Sequence, residues 1–367
     1  MAKGKSPLVS LVERVIDFYK DKKVFITGHT GFKGTWLCRI LIKAGANFTG
    51  YALEPPSTPS LFEQTKTAAD IQSIINDIRN RDALTKTIQE VKPDIVFHMA
   101  AQPIVRLSYH EPAETYETNV MGTVNILEAI RHTPSVKSFV NVTTDKVYEN
   151  KEWHWGYREN ENLCGHDPYS NSKSCSELVT HSYRNSFFYK EDTPAISTVR
   201  SGNVIGGGDY ANDRIIPDCI RAMEAGTEIV IRTPYSTRPY QHVLDCLSGY
   251  LLLAKKQYYD KKIEGAYNFG PNEEDNISTG NLTDIFCSAW GTGAKWRAQG
   301  DNGPHEANFL KLDCSKTRAV LGWKPRWDIK TAVEKTIEFA KMQSDNERLA
   351  CIERQITVYF SQSMNEV

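Results

Sequence analysis

Short β-branched and aromatic runs alternate along this chain with longer stretches whose apolar residues recur at helical spacing. Lys23-Val24-Phe25-Ile26-Thr27 carries no Pro and is apolar on both faces, as a strand buried inside a parallel sheet requires. A helical pattern begins soon after it, at Trp36, Leu37, Ile40 and Leu41. The alternation continues, with strands expected over 47–53, 70–75, 94–98, 138–143 and 195–200. Helices are expected over about 113–131 and from Pro168, a favoured first helical residue, to about 188. Strands alternating with helices predict an α/β fold, a Rossmann-type doubly wound parallel sheet.

Past residue 200 the periodicity weakens. A glycine-rich loop over 202–209 is followed by an expected strand at 228–232, a helix at 244–255 and a strand at 265–269. No repeat, low-complexity tract or linker separates the two halves, so a smaller C-terminal substrate-binding lobe is expected to interleave with the sheet domain. The expected division is an N-terminal extension over 1–20, a mainly dinucleotide-binding domain over 21–200 and a mainly substrate-binding lobe over 201–367. Leu11, Val12, Val15, Ile16 and Tyr19 in the extension suggest a short amphipathic helix docked on the body.

The segment between the first strand and its helix changes the picture most. Gly28-His29-Thr30-Gly31-Phe32-Lys33-Gly34 places glycines three apart at a helix N-terminus. Unpaired N–H groups and the helix dipole there favour a phosphate, and absent Cβ atoms let backbone approach it. The spacing is G-x-x-G-x-x-G, not the G-x-G-x-x-G of the common dinucleotide fingerprint. Gly28, Thr30, Gly31, Phe32 and Lys33 are the candidate cofactor contacts. Glu54, about twenty residues past the last glycine, stands where a ribose hydroxyl is gripped, which favours NAD over NADP; an exposed loop glutamate is the alternative. Asp77 and Ile78 past the third strand, Ala100, Ala101 and Gln102 past the fourth, and Thr143 ending the fifth share the same carboxyl rim.

Charge and composition exclude other classes. Among 367 residues, 44 basic and 45 acidic side chains leave a net charge of −1, so no global field points to nucleic acid or an anionic membrane. No apolar run approaches spanning length, and residues 1–21 lack the apolar core of a signal peptide. Eight scattered cysteines without a C-x-x-C pair suggest a reduced, cytoplasmic protein with no structural metal.

Two further pieces carry chemistry. Tyr169 and Lys173, four apart at the start of a helix, fall on one face. A tyrosine acting as base near neutrality needs its pKa lowered by about three units, roughly 4 kcal/mol. The Lys173 ammonium and a positive nicotinamide ring could together supply that. Thr144, Asp145 and Lys146 leave the fifth strand beside them.

These motifs resemble the extended short-chain dehydrogenase/reductase superfamily. Thr143-Thr144-Asp145-Lys146-Val147-Tyr148-Glu149-Asn150, Gly165-His166-Asp167-Pro168-Tyr169-Ser170 and Arg200-Ser201-Gly202-Asn203-Val204-Ile205-Gly206-Gly207-Gly208-Asp209 are similar, more narrowly, to the CDP-glucose 4,6-dehydratases. The likeness extends from about residue 20 to about residue 340 and includes Arg238-Pro239-Tyr240-Gln241-His242-Val243.

The resemblance implies a tightly bound NAD. It implies that Tyr169, helped by Lys173 and Thr144, takes the proton of the sugar 4-hydroxyl during oxidation at C4. Water is then eliminated across C5 and C6, and the hydride returns to C6. Asp145 matches the acid and Lys146 the base, where related dehydratases carry a glutamate. An ion pair between these neighbours would shift both pKa values the wrong way, whereas burial would push both toward neutrality. Lys146 is either the desolvated base or the holder of a water.

Arginine forks suit the substrate diphosphate, and Arg106, Arg214, Arg232 and Arg238 are candidates with Asn203. Asn119 is expected to brace backbone near the catalytic helix. His29, His98, His166 and His242 lack metal spacing, and Trp153 and Trp155 stack on a base or close a loop. The resemblance implies a homodimer or homotetramer. Two readings compete with the dehydratase: a nucleotide-sugar 4-epimerase or decarboxylase, and a non-catalytic NAD-binding sensor.

Overall fold

The computed structural model describes residues 15–300 and 307–361. Seven parallel strands form the central sheet: β1 (Lys23–Thr27), β2 (Asn47–Ala52), β3 (Gln72–Ile75), β4 (Ile95–His98), β5 (Ser138–Val142), β6 (Ala195–Ser201) and β7 (Ala266–Phe269). Their order is 3-2-1-4-5-6-7, the doubly wound arrangement expected from the alternating pattern. The order reverses between β1 and β4, so a crevice opens beyond the carboxyl ends of those two strands.

Period-two alternation divides the strand side chains between two cores. Val24, Ile26, Ile95, Phe97 and Val140 face α1 (Phe32–Lys43), with Trp36 and Ile40 among their neighbours. Phe25, Val96, Phe139 and Ile196 face the opposite layer. That layer contains α2 (Arg81–Val91) and α4 (Gly122–Arg131), separated in the chain by the short helix α3 (Val105–His110). The helix expected over 113–131 runs from Pro112 to Arg131, but Glu117–Met121 is wound as a π turn. Helix α5 (Pro168–Phe187) starts at Asp167, whose carboxylate accepts from Ser170 N at 2.9 Å.

The second lobe is interleaved. After α6 (Ile215–Glu224), the chain returns to the main sheet through α7 (Val243–Tyr259), which packs on β5, and through β7 beside β6. A separate core joins Ile205, Ile216, Ile229, Ile231, Leu282 and Val333. The C-terminal helix α8 (Asp345–Ser361) sets Ile352 and Ile356 against the first core. Leu11 and Val12 lie outside the described residues. Val15 and Tyr19 are buried, and Tyr19 Oη donates to Leu251 O at 2.8 Å. No helix among the described residues is long and apolar enough to cross a membrane.

Candidate active site

The glycines of the turn have separate roles. Gly28 has φ +78°, and a Cβ there would lie 2.7 Å from Ala100 N, so it lets the turn press against the end of β4. A Cβ on Gly34 would come 2.1 Å from Gly28 O, so that glycine seats α1 on the turn. Only Gly31 is open: a Cβ there meets nothing nearer than Gly28 O at 3.5 Å. Of the three glycines only Gly31 therefore leaves its backbone open to approach, and the first and third serve the fold.

Several candidate cofactor residues have their side chains engaged within the protein. Thr30 Oγ1 donates to Leu53 O at 2.8 Å, tying the turn to β2. Gln102 donates to Thr115 Oγ1 at 2.9 Å and accepts from Ile104 N at 2.6 Å. The Asp77 carboxylate is held by Arg79 Nε at 2.8 Å, and Ile78 is buried against Gly122. Phe32 lies under Gly206 of the second glycine loop. Glu54 is exposed beyond β2, while Ala100 and Ala101 line the rim beyond β4, where Ala100 N donates to Thr27 Oγ1 at 3.2 Å. What the rim offers a dinucleotide is mainly backbone and small side chains.

Asn119 sits in the π turn, accepting from Gln102 N at 2.9 Å and donating to Ser172 Oγ at 2.9 Å. It braces the β4 rim against the helix that carries Tyr169. His29 and His98 are buried and hydrogen-bonded to Ser73 and Thr27, and burial lowers their pKa values to about 4 and about 3. His242 is buried too, accepting from Leu244 N. Trp153 stacks on Tyr157 and Tyr157 on Tyr148, at 5.4 and 5.1 Å between centroids, so Trp153 closes the loop.

Tyr169 and Thr144 are brought together where β5 ends and α5 begins. Thr144 lies close enough to favour ionisation of the phenol, and its Oγ1 donates to Asp145 Oδ1 at 3.0 Å. Burial pushes the Tyr169 phenol up to about 12, against the Thr144 hydrogen bond and the Arg214 charge, which favour ionisation. Lys173 does not bond the phenol; its Nζ donates to Val142 O at 3.1 Å, and burial lowers its pKa to about 8.

Asp145 is 2 % exposed, and its Oδ2 has no hydrogen-bond partner. Burial raises its pKa despite the charges of Lys146, Arg238 and Lys33. Of the two opposed effects weighed from the sequence, desolvation wins, and the carboxyl is biased toward the protonated form an acid needs. Lys146 is half-buried next to it.

Beneath this cluster lies a pair the sequence reading missed. Glu177 on α5 and Arg200 on β6 are each 3 % exposed and doubly bonded, Nε to Oε1 and Nη2 to Oε2, both at 2.9 Å. Thr143 and Thr198 donate to the same carboxylate at 2.6 Å each, and Arg200 Nη1 donates to Tyr148 Oη at 2.9 Å. Thr143 is thus a structural anchor for the strand end that carries Thr144. The one signal for this pair was Arg200 inside an expected sheet strand, where a buried arginine demands a partner.

The arginines gather where the second lobe meets the rim. Arg238 is buried, donating to Thr237 O at 3.0 Å and to Ala307 O. Arg214 pairs with Asp209 at 2.8 Å. Asp213 joins Arg106 of α3 at 3.7 Å to Arg232 at 2.7 Å. Asn203 O accepts from Gln241 N at 3.0 Å, next to Arg238 in the chain. A cavity of about 380 Å³ is bordered by Arg232, Asp218, Glu228 and Gln299.

This sheet order, the glycine turn at its switch point and the Thr144–Tyr169–Lys173 cluster define an extended short-chain dehydrogenase/reductase. Residues 25–336 match the sequence profile of the GDP-mannose 4,6 dehydratase family, and the chain belongs to that family. It is 49% identical over 351 residues to the CDP-glucose 4,6-dehydratase of Salmonella typhimurium, covering 94% of this chain and 98% of that one. The dTDP-glucose 4,6-dehydratase of Streptomyces antibioticus is 27% identical over 328 residues, covering 86% and 91%. Among solved structures, UDP-glucuronic acid 4-epimerase from Bacillus cereus in complex with UDP-glucuronic acid and NAD superposes with a TM-score of 0.75 at 25% identity, covering 87% of this chain and 99% of the other.

Proposed function

We propose that this protein is an NAD-dependent lyase converting CDP-D-glucose to CDP-4-dehydro-6-deoxy-D-glucose. The observation that carries this reading is Asp145 beside Thr144 and Tyr169, buried with Oδ2 unpartnered and Oδ1 accepting from Thr144 Oγ1. A 4-epimerase has no use for an acid at the 6-hydroxyl, and a sensor has no use for the phenol. The cytidine assignment rests on the Salmonella relative, 49% identical along nearly its whole length.

The rim fits a dinucleotide: the open Gly31 at a helix N-terminus suits its pyrophosphate, and Ala100-Ala101 leaves room for a flat ring. Gly28, Thr30, Phe32, Lys33, Glu54, Asp77, Ile78, Gln102 and Thr143 complete the proposed lining, with Tyr169 and Lys173 at the reacting end. NAD held there would supply the hydride acceptor and donor and a positive charge beside the phenol.

With that charge present, Tyr169, assisted by Lys173 and Thr144, takes the proton of the sugar 4-hydroxyl. Oxidation at C4 acidifies the C5 hydrogen. Lys146 removes that proton while Asp145 protonates the departing 6-hydroxyl, and water leaves across C5 and C6. Arg214, Arg106, Arg232 and Arg238 bind the diphosphate with Asn203, and the cavity beside Arg232 seats the nucleoside end. Residues 21–200 serve mainly the dinucleotide and 201–367 mainly the substrate. The protein works as a homodimer or homotetramer in the cytoplasm.

The test is mass spectrometry on a panel of nucleotide hexoses. CDP-glucose loses one water with no net reduction of added NAD. Water loss from a different nucleotide hexose alone removes the cytidine assignment. Isomerisation without mass change, or no reaction with any sugar, refutes the dehydratase.

A further inference from the structure

Asp213 stands where the backbone itself favours glycine. Its φ is +59°, a conformation that glycine adopts freely and a residue with a Cβ only at a cost. It lies between the glycine-rich loop over 202–209 and α6. From there one carboxylate oxygen, Oδ1, faces two guanidiniums, 2.7 Å from Arg232 Nη1 and 3.7 Å from Arg106 Nε.

The two arginines belong to different lobes. Arg106 is in the first turn of α3, two residues before Ser108, whose Oγ accepts from Tyr169 N at 3.1 Å. Arg232 follows the strand Ile229–Ile231 of the second lobe and borders the cavity there. Two neighbouring acids, Asp209 and Asp218, pair instead with Arg214 and Arg221. The clasp of Asp213 with its two arginines is open to water: the side chains of Arg106, Arg232 and Asp213 are 26, 33 and 37 % exposed. A permanent brace would be buried, as Glu177 and Arg200 are at 3 %, whereas an ion pair this exposed contributes little net stability and is readily exchanged.

We propose that Asp213 competes with the substrate's diphosphate for Arg106 and Arg232, an internal anion that the nucleotide displaces and that returns as product leaves. The proposal rests on the dehydratase reading, which gives those arginines to the diphosphate. A diphosphate carries more charge than one carboxylate and offers oxygens to both forks at once, so the exchange favours the nucleotide. The product keeps the same diphosphate as the substrate. Arginines from two lobes would therefore grip both equally, and that uniform grip adds nothing to the chemical step and slows release. Asp213 weakens it from within, at the point where the lobes meet.

The test titrates CDP and inorganic pyrophosphate by calorimetry into NAD-loaded wild type, Asp213→Asn and Asp213→Gly. Asparagine tolerates the left-handed turn and glycine relieves it, so the two variants separate charge from strain. Both should bind CDP about three- to tenfold more tightly, the worth of two exposed ion pairs no longer to be broken. KM for CDP-glucose should fall with it, and CDP should inhibit more strongly. In an Arg232→Met background, where Arg214 and Arg238 remain to hold the ligand, the gain from Asp213→Asn should shrink below about twofold. Simple repulsion between a carboxylate and an anion would persist there. Unchanged or weaker binding in both Asp213 variants overturns the proposal, as does a gain that survives without Arg232. A wild type that binds pyrophosphate but not CDP would remove the cytidine assignment, and the pyrophosphate series would still decide on Asp213; one that binds neither overturns both.

Discussion

Replacing Glu177 with Gln keeps the shape of the buried Glu177–Arg200 pair and removes its charge. Arg200 is then left 3 % exposed without a counter-ion, and an amide NH₂ is turned toward a guanidinium and a threonine hydroxyl that both donate. Breaking a buried pair from one side costs about 3–5 kcal/mol, because the surviving charge keeps its desolvation penalty. With an unfolding entropy of about 2.1 cal/mol/K per residue, a chain of 367 residues has about 0.8 kcal/mol/K, so Tm should fall by about 4–6 °C. The assay is thermal unfolding followed by near-ultraviolet circular dichroism at neutral pH.

Replacing both partners, Glu177→Met with Arg200→Met, should cost less than the sum of the single changes, since no charge is then stranded. The pair also has a pH signature. Burial works to raise the Glu177 carboxyl, but Arg200 and the two threonines outweigh it and hold its pKa below the ordinary value. Its contribution is therefore fully present above about pH 4.3 and is lost as pH falls through the lowered folded value. A Tm shift under about 1 °C for Glu177→Gln, or double-variant losses that merely add, would refute the claim that this pair holds the strand end rigid.

Tyr169→Phe should reduce turnover about a hundred- to ten-thousand-fold while purified protein keeps its NAD, read from nucleotide released on denaturation; NAD loss in step with activity would contradict the assigned role. Gly31→Ala has room for its Cβ and a φ of −78°, so it should keep its Tm within about 1 °C and lose dinucleotide affinity. Gly28→Ala, at φ +78° against Ala100 N, should instead fail to fold stably; equal Tm values for the two would show that the glycines do not divide the work as described. Asp245 on α7 accepts from Tyr359 Oη of α8 at 2.7 Å, and burial raises its pKa to about 7. The folded state thus retains a proton that the unfolded chain releases above about pH 4, so wild-type stability should fall as pH rises from 4 to 7. Asp245→Asn should flatten that fall, and an unchanged slope of Tm against pH would exclude Asp245 as its source.

Sequence patterns alone located nearly every central strand, because a strand buried on both faces must be apolar throughout, and Val24-Phe25-Ile26 or Ile95-Val96-Phe97 has few other readings. The third strand proved shorter than 70–75, since 67–70 forms a 3₁₀ turn that packs Thr67 inward. The π turn at Glu117–Met121 left no mark on the periodicity, as one extra residue per turn barely shifts an apolar stripe. The roles of Thr30, Gln102 and Thr143 were not legible either: whether a short polar side chain meets a ligand or a neighbouring backbone depends on what folds against it.

What the linear order did determine is which chemical groups reach the carboxyl rim. In a parallel sheet, the residues following each strand must emerge on one edge, so Gly28–Lys33, Ala100–Gln102 and Thr143–Lys146 had to converge wherever the loops went. The ionisation of those groups was decided only in three dimensions. For Asp145 beside Lys146 the chain leaves ion pairing and desolvation opposed, and burial decides for the raised pKa. Tyr169 and Lys173 read as neighbours on one helix face, and only the fold shows that the ammonium bonds Val142 O. Desolvation and the direction of a hydrogen bond are set by atoms far away in the chain, such as Arg238 and Arg214, and no local spacing encodes them.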